Sequence, residues 1–213
     1  MSSLDLYYII LLGFAVSMDG FFAGMAYGIK KIHIPLLSLL TIGALTLFYT
    51  AIAAYSSHFL LSVINPKITT IFGSLLLISI GTVNIIKQVA TPYHRTKPEP
   101  TPTKNFNSST DNIFLYIIEK PERADIDRSN HLSIVEALLL GTALGVDNMV
   151  ATFAAGLADT LPLYTPFVMC IIQTTLLYSG IVISKKIISK KLKERLTYLP
   201  GIVLILIGLF RLF

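Results

Sequence analysis

Apolar residues crowd into six stretches, at about 6–29, 36–64, 68–88, 132–157, 161–184 and 196–213, and charged residues gather between them. A helix needs about 20 mostly apolar residues to cross a ~30 Å hydrocarbon core. The pattern therefore predicts an all-α membrane protein of six transmembrane helices. MSSLDLYY opens the chain with neither a basic segment nor a convincing cleavage site, so the first stretch is expected to be a retained helix rather than a signal peptide. Composition agrees: 54% of the 213 residues are hydrophobic and 14% charged, where soluble domains carry about 25% charged residues. Cys170 is the single cysteine, which excludes an intrachain disulfide and leaves it a small apolar filler.

The net charge of +5 changes the picture only through where the charges fall. With the N-terminus outside, Lys30, Lys31, Lys87, the 88–131 loop and the run from Lys185 to Arg195 all lie inside. That places fifteen of the seventeen Lys and Arg residues in the cytoplasm and leaves Lys67 and Arg211 outside, as the positive-inside rule requires. Both termini are then outside, and a bacterial cytoplasmic membrane is the expected location. The basic excess reports topology, with some attraction to anionic lipid, and speaks against a nucleic-acid partner.

The two ends of the chain resemble one another. GFAVSMDGFFAGMAYG, Gly13 to Gly28, and GTALGVDNMVATFAAG, Gly141 to Gly156, share Gly, Ala, Asp, Ala, Ala and Gly at the same six offsets. Asp147 minus Asp19 is 128. Thr46–Ile52 resembles Thr175–Ile181 at an offset of 129, and Ile80-Gly81 matches Ile207-Gly208 at 127. Three matches in order indicate a duplicated three-helix unit, 1–88 and 132–213, joined by a cytoplasmic linker, 89–131. An odd number of helices makes the second copy enter the membrane from the opposite side. Such inverted repeats carry sites near the midplane in many secondary transporters.

Only Asp19 and Asp147 among twelve acidic residues fall deep in the apolar stretches. A charge there costs at least ~2.5–3.5 kcal/mol, so a pair of acids implies a shared proton, a bound cation or a watery cavity. At helical spacing Ala15, Asp19, Ala23 and Ala26 share one face, as do Ala143, Asp147, Ala151 and Ala154. Small residues let a neighbouring backbone approach closely. Gly20 and Asn148 weaken each helix directly after its Asp, and Ser17, Asn148 and Thr152 add oxygens. Carboxylate, carbonyl and hydroxyl oxygens suit Mg²⁺, Mn²⁺ or Ca²⁺. The plainer alternative is two protonated acids hydrogen-bonded across helices. Gln173 and Asn84 either line a path or bond neighbouring helices, and Arg211 is expected to snorkel to the interface.

Asp125, Asp127, Ser129, Ser133 and Glu136 occupy positions 1, 3, 5, 9 and 12 of an EF-hand-like loop, 125–136, that would suit Ca²⁺. Asn130 replaces the glycine of the turn. A reading without metal is equally open: Ser133 and Glu136 form a capping box that starts the fourth helix.

AVSMDGFFAGMAYGIKKI and the block PERADIDRSN…EALLLGTALGVDN resemble the manganese efflux pump family of bacteria, within the lysine-exporter-like superfamily, and most of all its sporulation membrane protein branch. The resemblance implies six helices in two inverted repeats and export of a divalent cation, with Asp19 and Asp147 as metal ligands. It points away from an enzyme. Coupling to protons is compatible with paired acids. Two rival readings remain. An intramembrane aspartyl protease would carry Tyr-Asp and Gly-x-Gly-Asp, whereas Met18 and Val146 precede the aspartates here. A non-transporting sporulation scaffold with a calcium-type loop would move no ion.

Overall fold

A computed structural model describes residues 3–90, 129–184 and 190–212. Within them the chain forms seven helices and one isolated β-bridge. We number the helices α1 (Ser3–Val16), α2 (Met18–Ile29), α3 (Leu36–Val63), α4 (Pro66–Ala90), α5 (Ile134–Ala158), α6 (Thr165–Ser184) and α7 (Lys190–Leu212).

Four helices are long and apolar enough to cross a membrane, and α1 with α2 makes a fifth span bent by 44°. The sequence predicts six helices, weakened directly after each aspartate, and the observed break lies elsewhere. The first span breaks at Ser17, whose backbone leaves the helical range at φ −90° and ψ 8°. The last apolar segment lies in α7, which opens with KKLKER and carries Pro200 inside it. Gly20 and Asn148 both sit within regular helix. The break lies ahead of the aspartate, not after it.

The outer surface confirms the solvent for which these helices are built. Phe48, Phe59, Phe72, Phe167, Ile171 and Phe210 are all exposed, a density of apolar surface that a water-soluble monomer does not carry. The chain is a multi-pass membrane protein.

Packing is organised across the chain rather than along it. The principal pairs are α3 with α5 and α6, α4 with α5 and α7, α2 with α6, and α1 with α6 and α7. Each joins a helix of the first half to one of the second. The closest approach is between α2 and α6, where a Cβ on Gly24 would strike the Leu177 carbonyl and one on Gly180 the Phe21 carbonyl. Without apolar solvent exclusion to drive them together, membrane helices gain chiefly from such close van der Waals contact.

The connection from α2 to α3 and the segment entering α5 are tied together. His33 and His131 form the parallel bridge, His33 donates to the Asn130 carbonyl at 2.8 Å, and Leu132 donates to the His33 carbonyl at 3.0 Å. Ser38 seals the junction from below, donating to the Leu132 carbonyl at 2.7 Å. Asn130 adopts a left-handed conformation, φ 61°.

Candidate functional site

Asp19 enters the first turn of α2, immediately after the break, and Asp147 lies in the middle of the continuous α5. Asp19 is half-buried and Asp147 exposed. Their surroundings make this unusual. Ala15 and Ala23 on the Asp19 face are buried, and so are Ala143, Ala151 and Ala154 on the Asp147 face. Each acid is thus a more accessible point beside buried alanines on its own helix. The charge of Asp147 acts on Asp19, and that of Lys87, in the last turn of α4, acts on Asp147. Asp19 also accepts the Gly20 backbone N–H at 2.6 Å, which holds its carboxylate against the start of α2.

Gln173 of α6 joins the two acidic segments. It is fully buried, a Cβ on Gly20 would run into its amide nitrogen, and its Oε1 accepts from Asn148 Nδ2 at 3.3 Å. The residues that follow the two aspartates therefore meet on one amide. This bond spends the Asn148 nitrogen and leaves its Oδ1 without a partner. Ser17 Oγ, Thr152 Oγ1 and Gln173 Nε2 are likewise buried without a hydrogen-bond partner among the described residues. A buried polar group left unpaired costs about 1–3 kcal/mol, and four in one neighbourhood mark a place where packing was not the only demand. Three of the four are oxygens.

Among the described residues, no three of His, Cys, Asp and Glu gather where they would hold a metal ion. Any ion held here would have two carboxylates and neutral oxygens for ligands, a donor set that fits hard divalent cations and not thiol-loving ones.

The remaining sequence candidates fall elsewhere. Ser133 and Glu136 form the capping box at the start of α5: Ser133 Oγ accepts from the Glu136 backbone at 3.3 Å, and the Ser133 backbone donates to Glu136 Oε2 at 2.9 Å. Glu136 is buried and its carboxylate faces the cap. Ser129 exchanges hydrogen bonds with the His131 backbone. Asp125 and Asp127 of the EF-hand-like loop lie outside the described residues. Asn84 lies on exposed surface. Arg211 does more than snorkel: it forms an ion pair with Asp159 and stacks over the Tyr8 ring, 4.7 Å from its centroid.

Gln173 and Lys87 are the neighbours to which sequence reasoning gives too little weight. A single glutamine in TPFVMCIIQTTLLYSG is the visible signal for the first. Nothing local signals the second, whose relation to Asp147 depends on α4 packing against α5.

A family model described as "Putative manganese efflux pump" matches residues 1–86 and 114–212. The chain is 33% identical over 211 residues to the "Probable sporulation protein YtaF" of Bacillus subtilis (strain 168), covering 96% of this chain and 98% of that one. No solved structure matches. With both the aspartate segments and nearly all the helices inside the match, the chain belongs to the family described as "Putative manganese efflux pump".

Proposed function

We propose that this protein is a secondary transporter that exports a divalent metal cation, with Mn²⁺ as its principal substrate, through a site shared by Asp19 and Asp147. The observation that carries the reading is the convergence on Gln173. One amide touches the residue after each aspartate, and the oxygens of Ser17, Asn148 and Thr152 remain unpartnered close by, among the described residues. Membership of a family described as "Putative manganese efflux pump" supports this cargo and direction. It also favours transport over an enzymatic use of the two acids.

Six spans arranged as two inverted three-helix repeats, with both termini outside, are part of the same reading. Support comes from contacts that occur twice. Gly13 abuts Met169 and Ile172, while Gly141 abuts Ile42 and Leu45. Gly28 abuts Ser184, while Gly156 abuts Ser57. The glycines differ by 128, and the partners by 127 (169 minus 42, 172 minus 45, 184 minus 57). These pairs favour an offset of 127 on the second helix of each unit, two residues away from the 129 suggested by Thr46–Ile52 and Thr175–Ile181. In that register the buried Thr46 corresponds to Gln173 rather than to Thr175. Halves that pack mainly on one another are free to rock about a shared site, which is how repeat-built transporters alternate access.

Inverted vesicles containing the purified protein test the proposal. The native chain should accumulate Mn²⁺, and Asp19→Asn and Asp147→Asn should not. Failure to move Mn²⁺, Mg²⁺, Ca²⁺ or Zn²⁺ would favour a non-transporting sporulation role, the context carried by the name of the Bacillus subtilis relative.

A further inference from the structure

The end of the bundle that carries Lys30, Lys31 and Lys87 holds a second arrangement of metal-ligating groups, remote in sequence from both aspartates. His33 and His131 are direct partners in a parallel bridge, so their side chains leave the backbone on the same side. Both are exposed. Their ring centroids lie 5.5 Å apart, with the ring planes inclined at 70°.

The backbone under this pair is held unusually firmly. Ile32 and Leu132, each adjacent to one histidine, are buried in one core cluster with Tyr27 and Ile42. Ser38 anchors the Leu132 carbonyl, and Ser129 bonds both backbone groups of His131. Only two non-glycine residues among those described have a left-handed backbone, Lys31 and Asn130. Each lies one or two positions before one of the histidines. Such residues cost of order 1–3 kcal/mol and persist where the surroundings over-determine them, often at ligand clamps. Two exposed imidazoles gain little from an edge contact in water. As a chelating pair they gain a great deal, because fixing the second ligand beside the first makes its binding intramolecular.

We infer that His33 and His131 form a two-imidazole clamp for a divalent transition-metal ion at this end of the bundle, separate from the aspartate pair. With metal–nitrogen bonds of about 2.1 Å, rings 5.5 Å apart subtend roughly 120° at a common ion, which suits a tetrahedral or trigonal site completed by water. Imidazole favours Zn²⁺, Cu²⁺ and Ni²⁺, whereas Mn²⁺ lies lowest in the affinity order. The clamp and the aspartate pair thus differ in the ions they hold best.

Copper is the probe that reads ligand number directly. Full-length protein in lipid nanodiscs is titrated with Cu²⁺ and followed by electron paramagnetic resonance. The native chain should give a tight component coupled to two imidazole nitrogens, displaced by excess Zn²⁺. Both His33→Asn and His131→Asn should lose the two-nitrogen signature and bind more weakly by on the order of a hundredfold. The bridge itself is made of backbone hydrogen bonds, so these variants keep the fold; unchanged thermal unfolding checks this. The Asp19→Asn, Asp147→Asn double variant should bind copper as the native chain does, whether or not the protein transports manganese. A one-nitrogen spectrum from native protein, single variants of native affinity, or loss of the signal in the double aspartate variant would each overturn the inference.

Discussion

The helices that carry the two aspartates begin from nearly the same sequence and end with different shapes. GFAVSMDG is bent by 44° between α1 and α2, whereas GTALGVDN runs unbroken through α5. The half with serine at the break position is the bent one, and its counterpart with Gly145 is straight. Glycine here serves approach rather than bending: a Cβ on Gly145 would enter the Tyr49 ring. Helix starts contrast in the same way. Ser133 caps α5 with a full capping box, while Ser17 stands at the start of α2 with its hydroxyl unpaired among the described residues. A broken span is tolerated at membrane depth only where protein or a water-lined space surrounds the freed backbone. Ser17 and Ser133 thus differ in how the hydroxyl is used. One serine completes a helix, and the other leaves an oxygen available beside an acid.

The sharpest way to break this comparison is to ask whether the bent and straight halves contribute equally. Asp19→Asn and Asp147→Asn are each expected to reduce Mn²⁺ accumulation in inverted vesicles to background. If the acids are charged at membrane depth, as proposed, stability should not fall, since removing such a charge relieves a cost of at least ~2.5–3.5 kcal/mol. Survival of transport in one variant alone would show that a single half holds the ion.

Next in size is the contact that seats the bent half. Leucine at Gly24 or Gly180 forces side-chain atoms into the backbone of the facing helix, and overpacking of this kind costs about 1–3 kcal/mol or more. The loss should appear as a lowered unfolding midpoint in detergent. Equal tolerance of leucine at both sites would mean that α2 and α6 are not in register as described.

Gln173→Leu tests the link between the halves. It strands the buried Asn148 amide, with an expected loss of about 1–3 kcal/mol, and should raise the apparent KM for Mn²⁺. Smaller again is Ser133→Ala, which removes a cap worth about 1 kcal/mol and should leave KM unchanged. Ser17→Ala is the converse case. Its hydroxyl has no partner among the described residues, so stability should change by less than about 1 kcal/mol while the KM for Mn²⁺ rises. If the two serines behave alike, the distinction between capping and ligation fails.

Much of this molecule is legible without coordinates. Six apolar stretches, the segregation of basic residues, the recurrence of Asp in a small-residue setting and the box from Ser133 to Glu136 are local properties of neighbouring residues, and local physics governs them. Where sequence and structure differ, the cause is tertiary. The 129 offset matches identities along lipid-facing and mixed positions, such as the exposed Tyr178. The contacts favour 127 because packing compares only the buried stripe. In the sequence Gln173 is a polar residue in an apolar helix, and nothing near it indicates that Gly20 and Asn148 both reach it.

Sequence alone determined that the chain lives in a bilayer, where its basic residues gather, and which two acids fall in the middle of apolar stretches, because hydropathy and charge act residue by residue. Tertiary structure alone decided that the helices pack across the two halves, that the first span breaks at Ser17, and that His33 faces His131. Those outcomes depend on close backbone approach and on which buried groups find partners, and both are set by surfaces distant in sequence meeting in space.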